Sequence, residues 1–310
     1  APPVSPGLAP AEIRAQRQAT VQAVVALLQS TATASQAALL SDLAARQSSG
    51  SVQRYQPLWV TNAVAVTADR ETLFALAARP EVGLVTMDHY RQWITSPPAA
   101  EPLSLPEAGG SPEWNIQRIH ADQVWAALGL SGSGVVVANI DTGVDWNHPA
   151  LQGNYRGYHP GGLSNHTGNW YDATAGGYLY PGDGHGHGTH TMGTMAGAGG
   201  IGVAPGARWI AARAFDPSGN AYDSWIHAAF QWILAPAGDP ALAPDVVNNS
   251  WGSPDGSSAA FRPDLQALRA AGIFAVFSNG NDGPGPGTVS SPASLPEAFS
   301  VGAVDSTDFV

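Results

Sequence analysis

The stretch GVVVANID at residues 134–141 is a continuous apolar run that ends in a carboxylate. Such a run is typical of a strand that is buried on both faces of a parallel sheet. ARWIAARAF (207–215), DVVNNS (245–250) and IFAVFSNG (273–280) are further strand candidates, and segments with helical periodicity separate them. This alternation predicts an α/β fold with a doubly wound, mostly parallel sheet.

Polar side chains stand at the carboxyl ends of these predicted strands. Asp141 ends the first strand, Ser250, Trp251 and Gly252 follow the third, and Asn281 follows the fourth. Open parallel sheets hold their sites at this edge. We therefore expect these residues to lie near one another.

A histidine-rich stretch, GDGHGHGTHTMGTMAG (182–197), precedes a predicted short helix of small residues. A carboxylate, an imidazole and a side-chain amide that converge suit acyl transfer, because they orient a base, accept a proton and donate to an oxyanion. The spacing of His185, His187 and His190 also allows a zinc site, with Asp183 as an outer partner.

Four motifs in one order resemble the subtilisin-like serine endopeptidases, and the bacillopeptidase F group most closely. They are IDTGVDWNHP, HGHGTHTMGTMAG with GVAPGA downstream, VVNNSWG and SNGNDGP. The resemblance implies that residues 113–310 form roughly the first two thirds of a subtilisin-like catalytic domain. It also implies that Asp141 orients the base, that His187 is the base and that Asn281 is the oxyanion donor.

The resemblance further implies a cleft that binds a peptide or protein substrate by strand-like pairing. Its residues would be Ser250, Trp251, Gly252, Asn279 and Gly280. We expect peptide-bond hydrolysis through an Asp-His-Ser triad.

The serine nucleophile of the family, in Gly-Thr-Ser-Met-Ala, has no counterpart in this sequence, since GTMAG (193–197) lacks a serine. Ser290 and Ser291 fall where the family has a surface loop, so we do not expect either to replace it. The expectation is a chain that ends in mid-domain, is inactive as it stands and needs the missing C-terminal segment. The alternative is a non-catalytic, subtilisin-like binding or assembly protein.

The N-terminal region differs in composition, because only three of the 36 glycines precede residue 95. Residues 13–94 are predicted to form a small α+β unit. VTNAVAVTADRETLFALAARPEVGLVTMD (60–88) resembles the inhibitory propeptide of these proteases, which implies a ferredoxin-like unit and an intramolecular inhibitor. Residues 1–12 are predicted to be a flexible N-terminus, and residues 95–112 a Pro-rich linker.

Within this unit, Val21, Val24, Val25 and Leu28 follow helical spacing, and residues 38–46 are predicted to form another helix. The run 56–66 is β-rich, 68–80 is a capped helix, and 81–88 is a further short strand.

Composition restricts the remaining classes of function. The net charge of -11 argues against nucleic-acid binding, and the lack of cysteine excludes disulfides and thiolate metal sites. No unbroken apolar run approaches membrane-spanning length, so no membrane span is expected. An acidic, cysteine-free chain suits secretion, and we expect a secreted or extracytoplasmic protein.

Calcium is not expected at the family's strong site, and no other cofactor is expected. Many subtilisins carry an aspartate nine residues after the catalytic one, and here that position is Ala150. The loop after the histidine helix is short, at GAGG (197–200). Calcium needs oxygen ligands, and both features remove them.

Overall fold

The computed structural model describes residues 9–95 and 111–309. Its α-helices are α1 (Pro10–Ser49), α2 (Arg70–Ala77), α3 (Trp114–Arg118), α4 (Ala121–Leu128), α5 (Pro149–Gln152), α6 (His187–Ala196), α7 (Asp223–Leu234) and α8 (Arg262–Ala271). Its β-strands are β1 (Val52–Leu58), β2 (Ala63–Ala68), β3 (Tyr90–Gln92), β4 (Val136–Asp141), β5 (Trp170–Asp172), β6 (Arg208–Arg213), β7 (Asn220–Tyr222), β8 (Val246–Asn249), β9 (Phe274–Ser278) and β10 (Phe299–Val301). Two 3₁₀ turns, Pro236–Gly238 and Pro240–Leu242, connect α7 to β8. Most of the predicted flexible N-terminus and of the predicted linker lies outside the described residues.

Six strands form one parallel sheet in the order β10-β9-β8-β4-β6-β5. β4 lies inside the sheet, between β8 and β6. Because all six strands run in the same direction, their carboxyl ends share one edge. The predicted α/β fold with a mostly parallel sheet is confirmed.

Successive residues of the central strands face opposite sides of this sheet. Ala138, Ile140 and Ile210 belong to the larger core, with residues of α7 and α8. Val137 and Trp209 belong to a second core, with residues of α5 and α6. Helices therefore cover both faces, which explains why the strands are apolar throughout.

The N-terminal region has the element order α1-β1-β2-α2-β3. This is the order of a ferredoxin-like unit without its first strand. β1 and β2 form an antiparallel hairpin, whereas β3 pairs with β7 rather than with the hairpin. Leu43 and Val52 contribute to a small core of the region's own, while Val21 and Val25 of α1 join the larger core. The N-terminal region is thus α+β and packs directly on the parallel sheet's helices.

Three predictions about single elements differ from the structure. Residues 38–46 continue α1, because no glycine or proline interrupts residues 11–49. The β-rich run 56–66 contains a turn between two strands. The strand predicted at 81–88 is wrong, since this stretch carries no strand and the chain meets a partner only at Tyr90–Gln92.

One described helix, α1, is long and apolar enough to cross a membrane by length and composition alone. Glutamine, serine and threonine interrupt the apolar residues of α1, so it contains no unbroken apolar run of that length. α1 nevertheless packs on the rest of the protein. Val21 and Val25 are buried in the larger core, and Arg17 lies 2.8 Å from the Asp245 carboxylate.

Candidate active site

Asp141 is the last residue of β4, and it is 1 % exposed. Its Oδ1 lies 2.7 Å from Nδ1 of His187 and accepts a hydrogen bond of 2.7 Å from the backbone N–H of Thr142. Its Oδ2 accepts a hydrogen bond of 3.2 Å from the Thr191 hydroxyl. The carboxylate is therefore held in one orientation, with an oxygen directed at the imidazole.

The sequence predicts that His187 precedes a short helix. In the structure His187 is instead the first residue of α6. The next residue explains how the helix reaches the strand. A Cβ on Gly188 would lie 2.1 Å from the carbonyl oxygen of Gly143 and 3.0 Å from Cβ of Asp141. Only a glycine allows this approach, so the glycine-rich stretch brings backbone against backbone at the site.

The charge state of His187 follows from its surroundings. Burial lowers the pKa of the imidazole, but the hydrogen bond to Asp141 and the charges of Asp141 and Asp183 outweigh it, so the pKa is raised above its ordinary value. With Nδ1 bound to Asp141, Nε2 is the nitrogen that accepts a proton in the neutral ring. The pair is thus arranged as a base with an orienting carboxylate.

The other predicted site residues follow β8 and β9, on the same edge of the sheet. The Ser250 hydroxyl accepts a hydrogen bond of 2.9 Å from the Asn248 amide. The Trp251 side chain is buried in the larger core and packs on Phe261. Asn281 is exposed in the loop after β9.

The chain's own residues 90–94 lie along the predicted cleft. β3 pairs antiparallel with β7. The carbonyl oxygen of Gly219 accepts hydrogen bonds from the N–H groups of Trp93 (3.0 Å) and Ile94 (3.2 Å), and Gly252 donates one of 3.3 Å to the carbonyl of Trp93. Trp93 and Ile94 are both buried. This segment therefore makes strand-like contacts with Gly252, one of the residues predicted to bind substrate.

Ser290 and Ser291 do not lie in a surface loop, which corrects the expectation for them. They are 3 % and 2 % exposed. The Ser291 hydroxyl donates a hydrogen bond of 2.6 Å to the Ser258 carbonyl, and Ser290 Oγ would lie 2.4 Å from a Cβ on Gly252. Their burial, rather than a loop position, is the physical argument against either as a nucleophile.

The histidine stretch has no metal-binding arrangement in the part of the chain that the structure describes. The rings of His185 and His187 are 6.1 Å apart and nearly perpendicular. Asp183, considered as an outer partner for zinc, instead accepts hydrogen bonds from His185 N–H and Thr189 N–H. At the family's calcium position, the Ala150 carbonyl accepts a hydrogen bond of 2.8 Å from the Ala198 N–H.

Sequence reasoning missed the polar residues that support the pair. Asn139 donates to the Thr191 hydroxyl (2.9 Å) and to the Gly188 carbonyl (3.1 Å), which ties α6 to β4. The Thr142 hydroxyl donates a hydrogen bond of 2.9 Å to Asp183, which connects the end of β4 to the loop before α6. A usable signal was present for Asp183, because an aspartate in the loop before a helix can accept a hydrogen bond from the first turn of that helix, as Asp183 does from Thr189 N–H.

A parallel α/β sheet that joins an aspartate to a histidine at its carboxyl edge is a framework for hydrolases with a catalytic triad. Comparison with known proteins narrows this class. The subtilase family matches residues 132–309, and the chain belongs to that family. The resemblance inferred from the four motifs is confirmed.

The chain is similar to several subtilases of Bacillus subtilis (strain 168). It is 42% identical over 305 residues to bacillopeptidase F, which covers 91% of this chain and 21% of that protein. It is 32% identical over 253 residues to subtilisin E, an alignment that covers 80% of this chain and 57% of subtilisin E. It is 37% identical over 190 residues to minor extracellular protease Vpr, an alignment that covers 60% of this chain and 22% of that protein. The chain therefore spans only part of each relative.

Proposed function

We propose that the chain comprises the propeptide and the N-terminal part of the catalytic domain of a secreted subtilisin-like serine endopeptidase precursor. The observation that carries the proposal is the 2.7 Å contact between Asp141 and His187 at the carboxyl edge of the sheet. The serine of the triad would come from a segment that this sequence does not contain.

In the proposed mechanism, Nδ1–H of His187 donates to Asp141, and Nε2 takes the proton of the serine hydroxyl as its oxygen attacks the substrate carbonyl. The amide of Asn281 donates to the oxyanion of the tetrahedral intermediate. The imidazolium then gives its proton to the leaving amine as the C–N bond breaks. In the second half, His187 takes a proton from a water whose oxygen attacks the acyl-serine, and returns it to the serine oxygen as the carboxylic acid product leaves. The buried carboxylate of Asp141 stabilises the imidazolium, because the two charges interact in an environment of low dielectric constant.

Substrate would bind by strand addition between β7 and Gly252, with Ser250, Asn279 and Gly280 nearby. The pairing of residues 90–94 with these same edges supports an inhibitory role for residues 13–94. In this proposal residues 95–112 are the linker, and residues 113–310 are the catalytic portion. Similarity to minor extracellular protease Vpr, which is extracellular by its name, supports secretion. The mechanism uses side chains alone and needs no cofactor.

A second candidate is a non-catalytic, subtilisin-like binding or assembly protein. The burial of Ser290 and Ser291 favours it, because neither hydroxyl is placed to attack a substrate. The two candidates differ in their response to a serine-bearing segment. Its addition would restore peptide hydrolysis in the protease and would not in the binding protein.

The test is peptide hydrolysis by purified chain 1–310, with and without a segment that carries Gly-Thr-Ser-Met-Ala, supplied in cis or as a second chain. In subtilisin, a member of this family, loss of the serine costs about 2 × 10⁶ in kcat, so the chain alone should give only background. Restored hydrolysis that His187→Ala abolishes supports the protease. A folded complex without hydrolysis supports the binding protein, and robust turnover by 1–310 alone would reveal an unrecognised nucleophile.

The inhibitory role has its own test in the restored enzyme. Trp93→Ala removes a buried side chain from the segment that pairs with the cleft, so hydrolysis should begin sooner after mixing. Trp114→Ala is the control, since that side chain is 55 % exposed. Equal onset in wild type and Trp93→Ala would contradict inhibition through this segment.

A further inference from the structure

The carboxylate of Asp183, four residues before His187, accepts five hydrogen bonds. The donors are the Thr142 hydroxyl (2.9 Å), His185 N–H (3.0 Å) and Gly186 N–H (2.8 Å) to Oδ1, and Thr189 N–H (2.9 Å) and the Thr189 hydroxyl (2.7 Å) to Oδ2. These donors come from the end of β4, from the loop before α6 and from the first turn of α6. One side chain therefore joins the three pieces of chain around the site.

Thr142 connects Asp183 directly to the Asp141–His187 pair. Its hydroxyl donates to Asp183 and accepts a hydrogen bond of 3.0 Å from the Gly188 N–H. Its own N–H donates to Asp141 Oδ1 at 2.7 Å, the oxygen that faces His187. A rearrangement at Asp183 would thus reach both members of the pair.

The backbone also holds Asp183 against the chain that follows β4, independently of the side-chain hydrogen bonds. Asp183 forms an isolated antiparallel bridge with Gly143. A Cβ on Gly143 would lie only 2.0 Å from the carbonyl oxygen of Gly182. The loop is therefore pressed against the end of β4, and Asp183 has little freedom to turn away from the site.

Resting on the proposed function, we infer that Asp183 is a positioning residue, which holds the loop and helix start that carry His187 and adds a second negative charge beside its ring. Burial would raise the pKa of Asp183, but its hydrogen bonds from Thr189, Gly186 and His185 outweigh burial and lower it. The carboxylate is therefore ionised when the imidazole takes a proton, and it stabilises the imidazolium together with Asp141.

Three titratable groups of the described ranges interact with His187 through charge, a hydrogen bond or a ring contact. Asp141 approaches from β4, Asp183 from the loop before α6, and His185 from the same loop with its ring 6.1 Å away. Both carboxylates raise the pKa of the His187 imidazole. Removal of the Asp183 charge should therefore lower it.

The experiment is an NMR titration of the histidine ring signals in chain 1–310, with His187 assigned through His187→Gln. Asp183→Asn removes the charge, and Asp183→Ser removes it while it keeps a helix-capping oxygen. Each is expected to lower the pKa of His187, because one of the two carboxylates that raise it loses its charge. Asp183→Glu, which restores the charge, should recover most of the shift.

The matched control is Asp172→Asn. Asp172, the last residue of β5, is another half-buried carboxylate, and it accepts hydrogen bonds from Thr174 N–H, the Thr174 hydroxyl and Tyr178 N–H. Its substitution makes the same change in net charge and should leave the His187 titration as in wild type. An equal shift in this control would overturn the inference, because the effect would then be one of net charge.

Two other outcomes would also overturn it. One is a folded Asp183→Asn or Asp183→Ser chain in which His187 titrates as in wild type. The other is unfolding of both variants, which would assign Asp183 a structural role only. The titration does not depend on turnover. If the Asp183 variants lower the pKa of His187 as expected but the chain hydrolyses no peptide after addition of the serine-bearing segment, the result counts against the proposed function alone.

Discussion

Gly188 is the second residue of α6. We expect the methyl group that Gly188→Ala adds there to separate Asp141 from His187. A Cβ there would lie 2.1 Å from the Gly143 carbonyl oxygen, whereas Cβ contacts below 3.0 Å essentially never occur. In Gly188→Ala the two backbones must therefore move apart by about 0.9 Å. Neither is a flexible side chain, so the whole helix start must shift.

The magnitude follows from two opposing effects. Alanine in place of glycine stabilises a helix interior by about 1 kcal/mol, while overpacking in a close-packed region costs about 1–3 kcal/mol. We expect a net loss of up to about 2 kcal/mol in the free energy of unfolding. A displacement of this size would also lengthen the 2.7 Å contact between Asp141 and His187 beyond hydrogen-bonding distance.

The assay is urea unfolding of chain 1–310, read as the midpoint and slope. Gly193→Ala is the matched control, because it lies in the same helix and its Cβ would meet only the Ile201 side chain, at 4.0 Å. This control should be about 0.5–1 kcal/mol more stable than wild type. The reasoning is refuted if Gly188→Ala is as stable as wild type and keeps the Nδ1–H signal of the His187–Asp141 hydrogen bond.

Four further predictions concern other parts of the chain. Asp264→Ala should lower the free energy of unfolding in urea by about 3–5 kcal/mol. Asp264 is 0 % exposed, and its carboxylate lies 2.9 Å from Nδ1 of His227. When His227→Gln is added to Asp264→Ala, the further loss should be small. Burial lowers the pKa of His227, but the charges of Asp264, Asp223 and Asp88 outweigh it and raise the pKa. The stability from protonated His227 should therefore be present at low pH and be lost as pH rises through the raised pKa, which unfolding midpoints against pH would show. Limited proteolysis should cut first within 95–112, and a first cut within β4 or β9 would contradict the domain division. Calorimetric titration with Ca²⁺ should show no tight binding near α5, and a calcium ion found there would refute this.

Burial on both faces made the parallel sheet predictable from the sequence. β4, β6, β8 and β9 are short apolar runs between helices, and each lies within two residues of its predicted bounds. α8 ends at Ala271, because Gly272 adopts a left-handed conformation with φ of 74°. By contrast, the strand predicted at 81–88 failed because a strand also needs a partner. The partner, β7, is more than 120 residues away in the chain and reaches only Tyr90–Gln92.

The same distinction applies to the candidate site. Asp141 and His187 were predictable, since each stands in a motif beside a strong element signal. The side chains that fix their geometry were not, because Thr142 and Asp183 act through hydrogen bonds to chain about 40 residues away in sequence. Such contacts leave no periodicity, and threonine or aspartate in a glycine-rich loop is also what an ordinary turn contains.

The pairing of residues 90–94 follows the same principle at the cleft. A propeptide-like resemblance predicted an inhibitor, yet nothing in the local sequence selects Trp93 as the residue whose carbonyl meets Gly252. Three hydrogen bonds and a side chain in the larger core fix that register, and both depend on the surface that α7, β7 and β8 form. The register of residues 90–94 is therefore a property of the folded protein, and under the proposed function Trp93 would supply the buried contact that a competing substrate has to displace.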